Sequence, residues 1–251
     1  MEFEINMESK KIYKDGVAYD LHANEGYELV KNLWEYTNWA NRYSYTYSWL
    51  GRPTIQLPDD MIRIQELVFQ LKPSIIIETG IAHGGSLIFY ASLCELIGNG
   101  RIIGVDIDIR EHNKIAIEKH PLSNRILMFE GSSIDSEIVS KVTQHVGADD
   151  TVLIILDSNH TKDHVLKELM SYSPLVSKNS YIIVADGIMQ NLIGAPGSKN
   201  DWNWNNPQEA VREFLKNNNN FIIENPKPYF NESEIRSFPT YWPNGWLKRV
   251  M

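Results

Sequence analysis

Residues 75–90 read Ile-Ile-Ile-Glu-Thr-Gly-Ile-Ala-His-Gly-Gly-Ser-Leu-Ile-Phe-Tyr, and this is the most informative stretch of the chain. Its apolar, β-branched start is typical of a buried strand, and a turn with three glycines follows at once. Ser86 then opens an apolar segment with helical spacing. A strand, a glycine turn and a helix N-terminus in this order form the ligand cradle of a doubly wound α/β fold. Glycine suits the turn because it lacks a Cβ and lets the backbone approach a ligand.

Beyond residue 75, strand-like and helix-like segments alternate. The apolar, β-branched runs lie at 75–77, 102–107, 126–129, 152–156 and 181–184, with helical patterns at 86–97, 111–119, 135–146 and 161–170. This rhythm predicts a mainly parallel sheet covered on both faces, with right-handed crossovers. The fold class is therefore predicted as α/β, a Rossmann-like doubly wound sheet. Farther on, we expect a long loop at 187–206, a helix from Pro207 to residue 216, a strand starting at Phe221 and a final edge strand within 241–250.

The first 60 residues differ from the rest in their aromatic content. They carry Tyr27, Trp34, Tyr36, Trp39, Tyr43, Tyr45, Tyr47 and Trp49. We predict an amphipathic helix at 25–41, an extended run at 43–49 and a helix from Met61 to Leu71. Residues 1–60 are interpreted as an N-terminal extension, either a lid over the site or an oligomer contact. Residues 61–251 form the predicted main domain.

Composition limits the class of protein and partner. The 251-residue chain has a net charge of −8 and a pI near 5.4, which argues against a nucleic-acid partner. The lone cysteine, Cys94, fits a reducing compartment. We find no signal peptide and no apolar run of the roughly 20 residues that a membrane span needs. The expectation is a cytoplasmic homo-oligomer with a small-molecule or glycan substrate.

The glycine turn also indicates the ligand. The spacing of Gly80, Gly84 and Gly85 is G-x-x-x-G-G, which is not the dinucleotide fingerprint. An acidic residue at the end of the first strand, Glu78, suits a ligand with a cationic end. S-adenosylmethionine carries an ammonium group and a sulfonium, and we predict it as the cofactor. The predicted contacts in this segment are Glu78, Gly80, His83, Gly84, Gly85 and Ser86.

Further cofactor contacts are predicted at the ends of the next two strands. Asp106 follows the second strand and suits the two ribose hydroxyls of a nucleoside, with Ile107 beside it. Gly131, Ser132 and Ser133 follow the third strand and suit an adenine edge. These three small residues are equally typical of an ordinary turn and helix N-cap.

Two later strand ends carry the predicted chemistry. Asp157 and Asp186 end the fourth and fifth strands, and two carboxylates there suit a hard divalent cation such as Mg²⁺. The cation would hold and acidify a substrate hydroxyl. His160 lies three residues after Asp157, and its imidazole suits removal of the hydroxyl proton. Asp157 is also predicted as a cofactor contact. As an alternative, Asp157 caps the helix at 161–170.

Several motifs together resemble a known family. Residues 77–86, 104–110, 130–133, 156–165 and 168–176 are similar to the cephalosporin hydroxylase and rhamnosyl O-methyltransferase family. Despite the hydroxylase name, the resemblance implies a class I methyltransferase fold that uses S-adenosylmethionine. It also implies sugar methylation in glycolipids and surface polysaccharides, or antibiotic tailoring. Metal-dependent sugar O-methyltransferases with a similar Asp-x-x-His segment imply Asp157 as metal ligand and His160 as general base.

One position departs from the family pattern. The fifth-strand motif of the family usually offers Glu-Asp, whereas this chain has Ala185 and Asp186. One expected metal ligand is therefore missing. Asn159, Gln190, Asn191 or water molecules are candidates to fill the gap.

The loop 187–206 suits a sugar. It carries Trp202, Asn203, Trp204, Asn205 and Asn206, and indole faces stack on sugars while amides match hydroxyls. Equally, the loop is ordered by its own aromatics or serves as an oligomer contact.

The sequence as a whole predicts an S-adenosylmethionine-dependent O-methyltransferase, with Mg²⁺ as a candidate second cofactor. The predicted acceptor is a sugar hydroxyl of a surface polysaccharide, such as lipopolysaccharide, of a glycolipid or of a glycosylated natural product. Two alternatives remain open. One is a non-catalytic cofactor-binding subunit of a tailoring enzyme, and the other is a hydroxylase, as in the family name.

Overall fold

A computed structural model describes residues 2–251. The N-terminal part forms two small antiparallel sheets and one long helix. Its elements are β1 (Phe3–Asn6), β2 (Lys11–Lys14), β3 (Val17–Asp20), α1 (Asn24–Ala40), a 3₁₀ helix (Tyr43–Thr46), β4 (Tyr47–Trp49) and β5 (Arg52–Thr54). Strands β1 to β3 form a meander, and β4 pairs with β5.

The rest of the chain builds the central layers. Its elements are α2 (Pro58–Leu71), β6 (Ile75–Thr79), α3 (Gly85–Ile97), β7 (Arg101–Asp106), α4 (Glu111–Glu118), β8 (Ile126–Glu130), α5 (Ser136–Thr143), β9 (Val152–Leu156), α6 (Lys162–Tyr172), β10 (Tyr181–Val184), α7 (Pro207–Lys216), β11 (Phe221–Ile223) and β12 (Trp246–Arg249). Short 3₁₀ helices lie at Ser123–Arg125, Ser173–Leu175, Gly187–Asn191 and Asn200–Asn203.

A seven-stranded sheet forms the centre, in the order β11-β12-β10-β9-β6-β7-β8. Strands β10, β9, β6, β7 and β8 are parallel, while β12 runs antiparallel to both of its neighbours, β10 and β11. Every residue of β6 and β9 is buried, as expected for central strands with helices on both faces. The predicted α/β fold class with a mainly parallel sheet is confirmed.

The two faces of the sheet carry separate hydrophobic cores because neighbouring side chains on a strand point to opposite sides. Ile76 and Ile155 pack on one face with side chains of α2 and α3. Ile77 and Ile154 pack on the other face with side chains of α6 and α7. The parallel register places Thr79 opposite Leu156, so that the polar residues after β6 and β9 emerge together.

Two predicted elements differ from the structure. The C-terminal strand β12 is not an edge strand, because it lies between β10 and β11 and leaves β11 at the edge. The run 43–49 is extended only from Tyr47, since Tyr43–Thr46 form a 3₁₀ helix. The predicted loop at 187–206 contains two short 3₁₀ helices, and the β1–β3 meander was not predicted.

The aromatic N-terminal segment packs directly on the glycine turn. Trp49 donates from Nε1 to Ser92 Oγ over 3.0 Å. Arg52 donates from Nε to the carbonyl oxygen of His83 over 3.0 Å. A Cβ on Gly85 would overlap the carbonyl oxygen of Pro53. The segment therefore covers one side of the glycine turn. Within residues 2–251, none of the helices is long and apolar enough to cross a membrane.

Candidate functional site

A cavity of about 670 Å³ opens at the carboxyl ends of β6, β9 and β10. Ligands of doubly wound sheets bind at this edge. The glycine turn, two strand ends, the N-terminal segment and the C-terminal region all contribute to its walls. Its lining includes Gly80, His83, Gly85, Ser86, Asp157, His160, Asp186, Trp39, Arg42, Thr54, Gln56, Trp202 and Tyr241.

The glycine turn is held in place by its own backbone. Gly80 has a φ of 93°, and a Cβ there would overlap the carbonyl oxygen of Asp157. Only glycine adopts such a conformation without strain and leaves room for that neighbour. Gly84, with a φ of 80°, precedes α3. The turn connects β6 to α3, packs against the backbone at the end of β9 and faces the cavity.

Glu78 lies beneath the cavity rather than at its surface. Its side chain is fully buried and accepts hydrogen bonds from Ser86 Oγ (2.6 Å) and Tyr90 Oη (3.0 Å). Burial raises the pKa of this carboxyl to about 8, although the two hydrogen bonds act in the opposite direction. Ser86 reaches the cavity, whereas Glu78 is not among the lining residues. The structure thus places Glu78 behind the predicted cofactor contact.

Asp106 also serves the fold. Its Oδ2 accepts the backbone N–H groups of Ile81 (2.7 Å) and Ala82 (3.1 Å), which fixes the glycine turn. Its neighbour Ile107 is 74% exposed. The structure therefore brings Asp106 to the outside of the turn, and neither residue lines the cavity.

The predicted adenine edge lies next to Asp106. The N–H of Gly131 donates to the carbonyl oxygen of Asp106 over 2.8 Å. Ser133 Oγ lies 3.1 Å from His164 Nε2, and Ser132 accepts the N–H of Asp135 in a turn. Gly131, Ser132 and Ser133 are brought to the correct edge of the sheet but lie outside the cavity walls.

The second pair of strand-end acids meets a histidine. His160 Nε2 lies 3.3 Å from Asp186 Oδ2 and 3.9 Å from Asp157 Oδ1. One ligand atom from each of the three residues lies within 4.8 Å of the others. The backbone of Asp186 is left-handed, with φ at 55°, and strain of this kind concentrates at functional sites. The sequence prediction that these three residues come together is supported by the structure.

The charges of this cluster are poorly compensated. Burial raises the pKa of Asp157 well above its usual range, and repulsion from Asp186 adds to the shift. Burial also raises the pKa of Asp186, while His160 opposes that rise. Carboxylates kept together without a strong cationic partner favour a proton or a metal ion.

The helix-cap interpretation of Asp157 is wrong. Helix α6 begins after Thr161, and the N–H of Thr161 donates to Asn159 Oδ1 instead. Asn159 is therefore engaged in the loop, and Gln190 Oε1 accepts from Arg212. Neither Gln190 nor Asn191 lines the cavity. His160, rather than one of these amides, is the third potential ligand beside the two aspartates.

The loop at 187–206 divides between the cavity and the fold. Trp202 lines the cavity but is only 8% exposed and packs edge-on against Trp39, with 6.1 Å between the ring centroids. Trp204 is 59% exposed and does not line the cavity. Asn205 accepts the N–H of Lys162, and Asn206 caps α7. The asparagines therefore support the structural interpretation of this loop.

Several cavity residues were not predicted, among them three buried polar side chains. Thr54, Gln56 and Tyr241 are each 3% exposed. Within the part of the chain that the structure describes, Thr54 Oγ1, Gln56 Oε1 and Tyr241 Oη have no hydrogen-bond partner. Buried polar atoms are normally paired, so these three are candidates for groups that a ligand satisfies. Their segments carry no strand-end pattern, and only the fold brings them to the site.

Comparisons with known proteins identify relatives of this chain. The family model of Rhamnosyl O-methyltransferase/CmcI matches residues 41–250. The chain is 30% identical over 169 residues to a rhamnosyl O-methyltransferase of Mycobacterium leprae, covering 64% of this chain and 69% of that protein. It is 29% identical over 201 residues to the protein of the same name from Mycobacterium tuberculosis, covering 76% and 73%.

A solved structure shares the fold. A CmcI structure described as its Mg-SAM form superposes with a TM-score of 0.54 at 19% identity, covering 82% of this chain and 78% of that one. The family model spans most of the chain, including every residue of the cluster around His160. This chain therefore belongs to the Rhamnosyl O-methyltransferase/CmcI family.

Proposed function

We propose that this protein is an S-adenosylmethionine-dependent O-methyltransferase that acts on a sugar hydroxyl. The observation that carries the proposal is the cluster of Asp157, His160 and Asp186 inside a cavity that adjoins the glycine turn. Membership of a family whose named members include rhamnosyl O-methyltransferases supports the reaction and the acceptor class.

The cavity suits the cofactor at its glycine end. Ser86 and Gly80 line the cavity, and the orphaned Gln56 Oε1 and Thr54 Oγ1 belong to residues that line it from the N-terminal segment. S-adenosylmethionine supplies a methyl group on a sulfonium, which an oxygen nucleophile attacks in line. The residues of this chain align the two reactants, and alignment alone contributes on the order of 7 kcal/mol or more to such reactions.

The cluster also suits a divalent cation. Asp157 and Asp186 each offer a carboxylate oxygen within 4.8 Å of the other, and hard cations such as Mg²⁺ prefer carboxylate oxygens. The Mg-SAM form of CmcI, which shares the fold, supports the choice of the same ion here. When bound by these residues, the cation would act as a Lewis acid toward the acceptor oxygen.

His160 is proposed as the general base. Its Nε2 lies 3.3 Å from Asp186 Oδ2, so the carboxylate stabilises the imidazolium that forms when the hydroxyl proton moves to the ring. Asp157 and Asp186 line the part of the cavity where we propose that the acceptor binds. The ring nitrogen cannot accept this proton while it ligates a cation, so we assign the cation to the two carboxylates and the proton to His160.

The acceptor is proposed to enter past the aromatic wall. Trp39, Trp202 and Tyr241 line the cavity, and Trp39 also packs edge-on against Tyr241. Apolar ring surfaces with a polar tip suit a sugar, which carries both apolar faces and hydroxyls. Residues 42–56 contribute to the cavity from the N-terminal side, which supports their role as a lid rather than an oligomer contact alone.

A hydroxylase is the weaker alternative. Non-haem iron oxygenases use two histidines and one carboxylate. The three-residue cluster found among residues 2–251 instead has one histidine and two carboxylates. Its composition favours the methyltransferase.

The test is transfer of isotopically labelled methyl from S-adenosylmethionine to a panel of rhamnosides, other deoxysugar glycosides and non-sugar alcohols, with Mg²⁺ and with a chelator. We expect label on a sugar oxygen together with an equal amount of S-adenosylhomocysteine. Binding of the cofactor without transfer to any acceptor would favour the non-catalytic subunit.

A further inference from the structure

Gln56 occupies a buried position between the two ends of the site. It lies in the short segment between β5 and α2 and is 3% exposed. Its Nε2 donates to Tyr90 Oη over 3.1 Å, and Tyr90 Oη donates to Glu78 Oε1 over 3.0 Å. Burial raises the pKa of Asp157, which lines the same cavity, and the Gln56 side chain acts in the opposite direction. Gln56 is thus linked through Tyr90 to the buried acid below the glycine turn, and it shares a cavity with the acid of the catalytic cluster.

The orientation of this amide follows from its neighbours. The NH₂ end of Gln56 donates to the tyrosine hydroxyl, which in turn donates to Glu78. The other end, Oε1, is left without a donor anywhere in residues 2–251. Gln56 lines the same cavity wall as Thr54, and the cavity is the direction from which a donor arrives.

The groups around Gln56 Oε1 indicate which kind of donor this atom would bind. Oε1 of Gln56 and the carboxylate of Asp157 are both acceptors, and within residues 2–251 the cationic partner of Asp157 is His160 rather than a Lys or Arg. Among the described residues that line the cavity, Arg42 is the one Lys or Arg, and its guanidinium lies 5.8 Å from the Tyr45 ring centroid. Two acceptors of net negative charge that line one cavity favour a cation with several N–H groups, whereas a sugar hydroxyl brings one donor and no charge.

We propose that Gln56 Oε1 accepts a hydrogen bond from the ammonium group of the cofactor's methionyl moiety, with Asp157 beside it. Tyr90 is the positioning residue, because it holds the amide, and Glu78 acts on the ligand through Tyr90 and Ser86. The inference rests on the proposed function, since it takes S-adenosylmethionine as the ligand. It reassigns to Gln56 the contact with the cationic end that the sequence suggested for Glu78.

The experiment is a two-by-two binding cycle. Calorimetry measures S-adenosylhomocysteine and its deaminated analogue, each against wild type and Gln56→Met, which keeps the length of the side chain but removes its acceptor. We expect deamination to weaken binding to wild type about tenfold, as for a hydrogen bond to a charged group. The same deamination should weaken binding to Gln56→Met by no more than about twofold. Equal factors in the two proteins would overturn the proposal.

Two further variants make the cycle specific. Gln70→Met introduces the same chemical change on an exposed position of α2 and should keep the full wild-type factor. Gln56→Glu keeps an acceptor and should raise the factor, because a carboxylate attracts the ammonium group more strongly. If Gln56→Met fails to fold, this second variant still decides, and an unchanged factor in Gln56→Glu would refute the contact.

A chelator separates the ammonium group from a metal-bound water as the donor. The cycle is repeated in EDTA, where we expect the same coupling between Gln56 and the amino group. Loss of the coupling in EDTA would assign the orphaned oxygen to a metal-bound water and overturn the proposal. If S-adenosylhomocysteine binds but Gln56 and the amino group are not coupled, this inference alone is refuted. If it does not bind to wild type, the proposed function is refuted as well.

Discussion

Four of the acids at the strand ends of the central sheet fall into two pairs. Glu78 and Asp106 receive hydrogen bonds from the protein itself, from hydroxyls in one case and from backbone N–H groups in the other. Asp157 and Asp186 both line the cavity and lie close to one histidine. The first pair holds the glycine turn in shape, and the second pair is left available to a ligand.

The position of an acid at a strand end therefore does not by itself determine its role. A carboxylate whose acceptor sites are filled by the protein contributes to the fold, and its loss leaves donors unpaired. A carboxylate held near another without sufficient donors destabilises the free protein and is retained for what it binds. Mutation of the first pair is therefore expected to lower stability, and mutation of the second pair is expected to lower activity.

The largest effect is expected at His160. Removing the base in His160→Ala should lower turnover by about 10²–10⁴-fold, which is the usual contribution of general acid–base catalysis. Binding of S-adenosylhomocysteine should be unchanged, since the ring faces the acceptor side. Methyl-transfer assays and calorimetry on the same preparation check both statements, with His112→Ala as a control on an exposed histidine. Unchanged turnover would remove His160 from the mechanism.

The next effect is on stability, at Glu78. Glu78→Leu leaves the hydroxyls of Ser86 and Tyr90 without their acceptor in a buried place. We expect the free energy of unfolding to fall by about 1–3 kcal/mol, as for buried groups that lose a partner. Urea denaturation measures the loss. A variant as stable as wild type, with weakened cofactor binding, would instead show that Glu78 touches the ligand directly.

Much of the fold followed from local patterns. Strand β6, its glycine turn and α3 have strong apolar periodicity, and their order alone predicts the parallel sheet. The place of β12 could not be predicted in the same way. Trp246 pairs with Ile183, and Leu247 with both Ile182 and Ile223, so the register depends on long-range contacts between distant segments. A short apolar run does not by itself indicate which strands it will pair with.

The site was predictable in part for the same reason. Asp157, His160 and Asp186 follow consecutive parallel strands, and strand ends of one sheet edge meet by construction. Gln56 and Tyr241 come from outside the alternating pattern, and only tertiary packing brings them to the cavity. Glu78 and Asp106 accept hydrogen bonds from the protein itself. The donors belong to Tyr90 and to the backbone of the glycine turn, and the strand-end pattern does not show them.

The smallest effect concerns Asp60, a buried acid outside the central strands. It accepts from the Thr240 hydroxyl and the N–H of Tyr241, and burial raises its pKa to about 8. Because the folded state then holds a proton that the unfolded state releases near pH 4, stability should fall as pH rises from about 4 to about 8 and level off above.

Asp60→Asn should therefore make the decline of stability between about pH 5 and 8 shallower, as measured by urea denaturation at several pH values. Glu118→Gln, on the exposed face of α4, should keep the wild-type slope. A slope that Asp60→Asn leaves unchanged would mean that the carboxyl titrates at its ordinary value in the folded protein.

Asp157 is the residue on which the division of the four acids depends most directly, and one paired measurement tests its role. Asp157→Asn removes a charge that burial and Asp186 disfavour, so its free energy of unfolding in EDTA should equal or exceed that of wild type. Its methyl-transfer rate should fall by about 10²-fold or more, since the acceptor side loses a carboxylate that no other group replaces. Full turnover, or a loss of stability as large as that of Glu78→Leu, would contradict the division of the four acids and the site built on it.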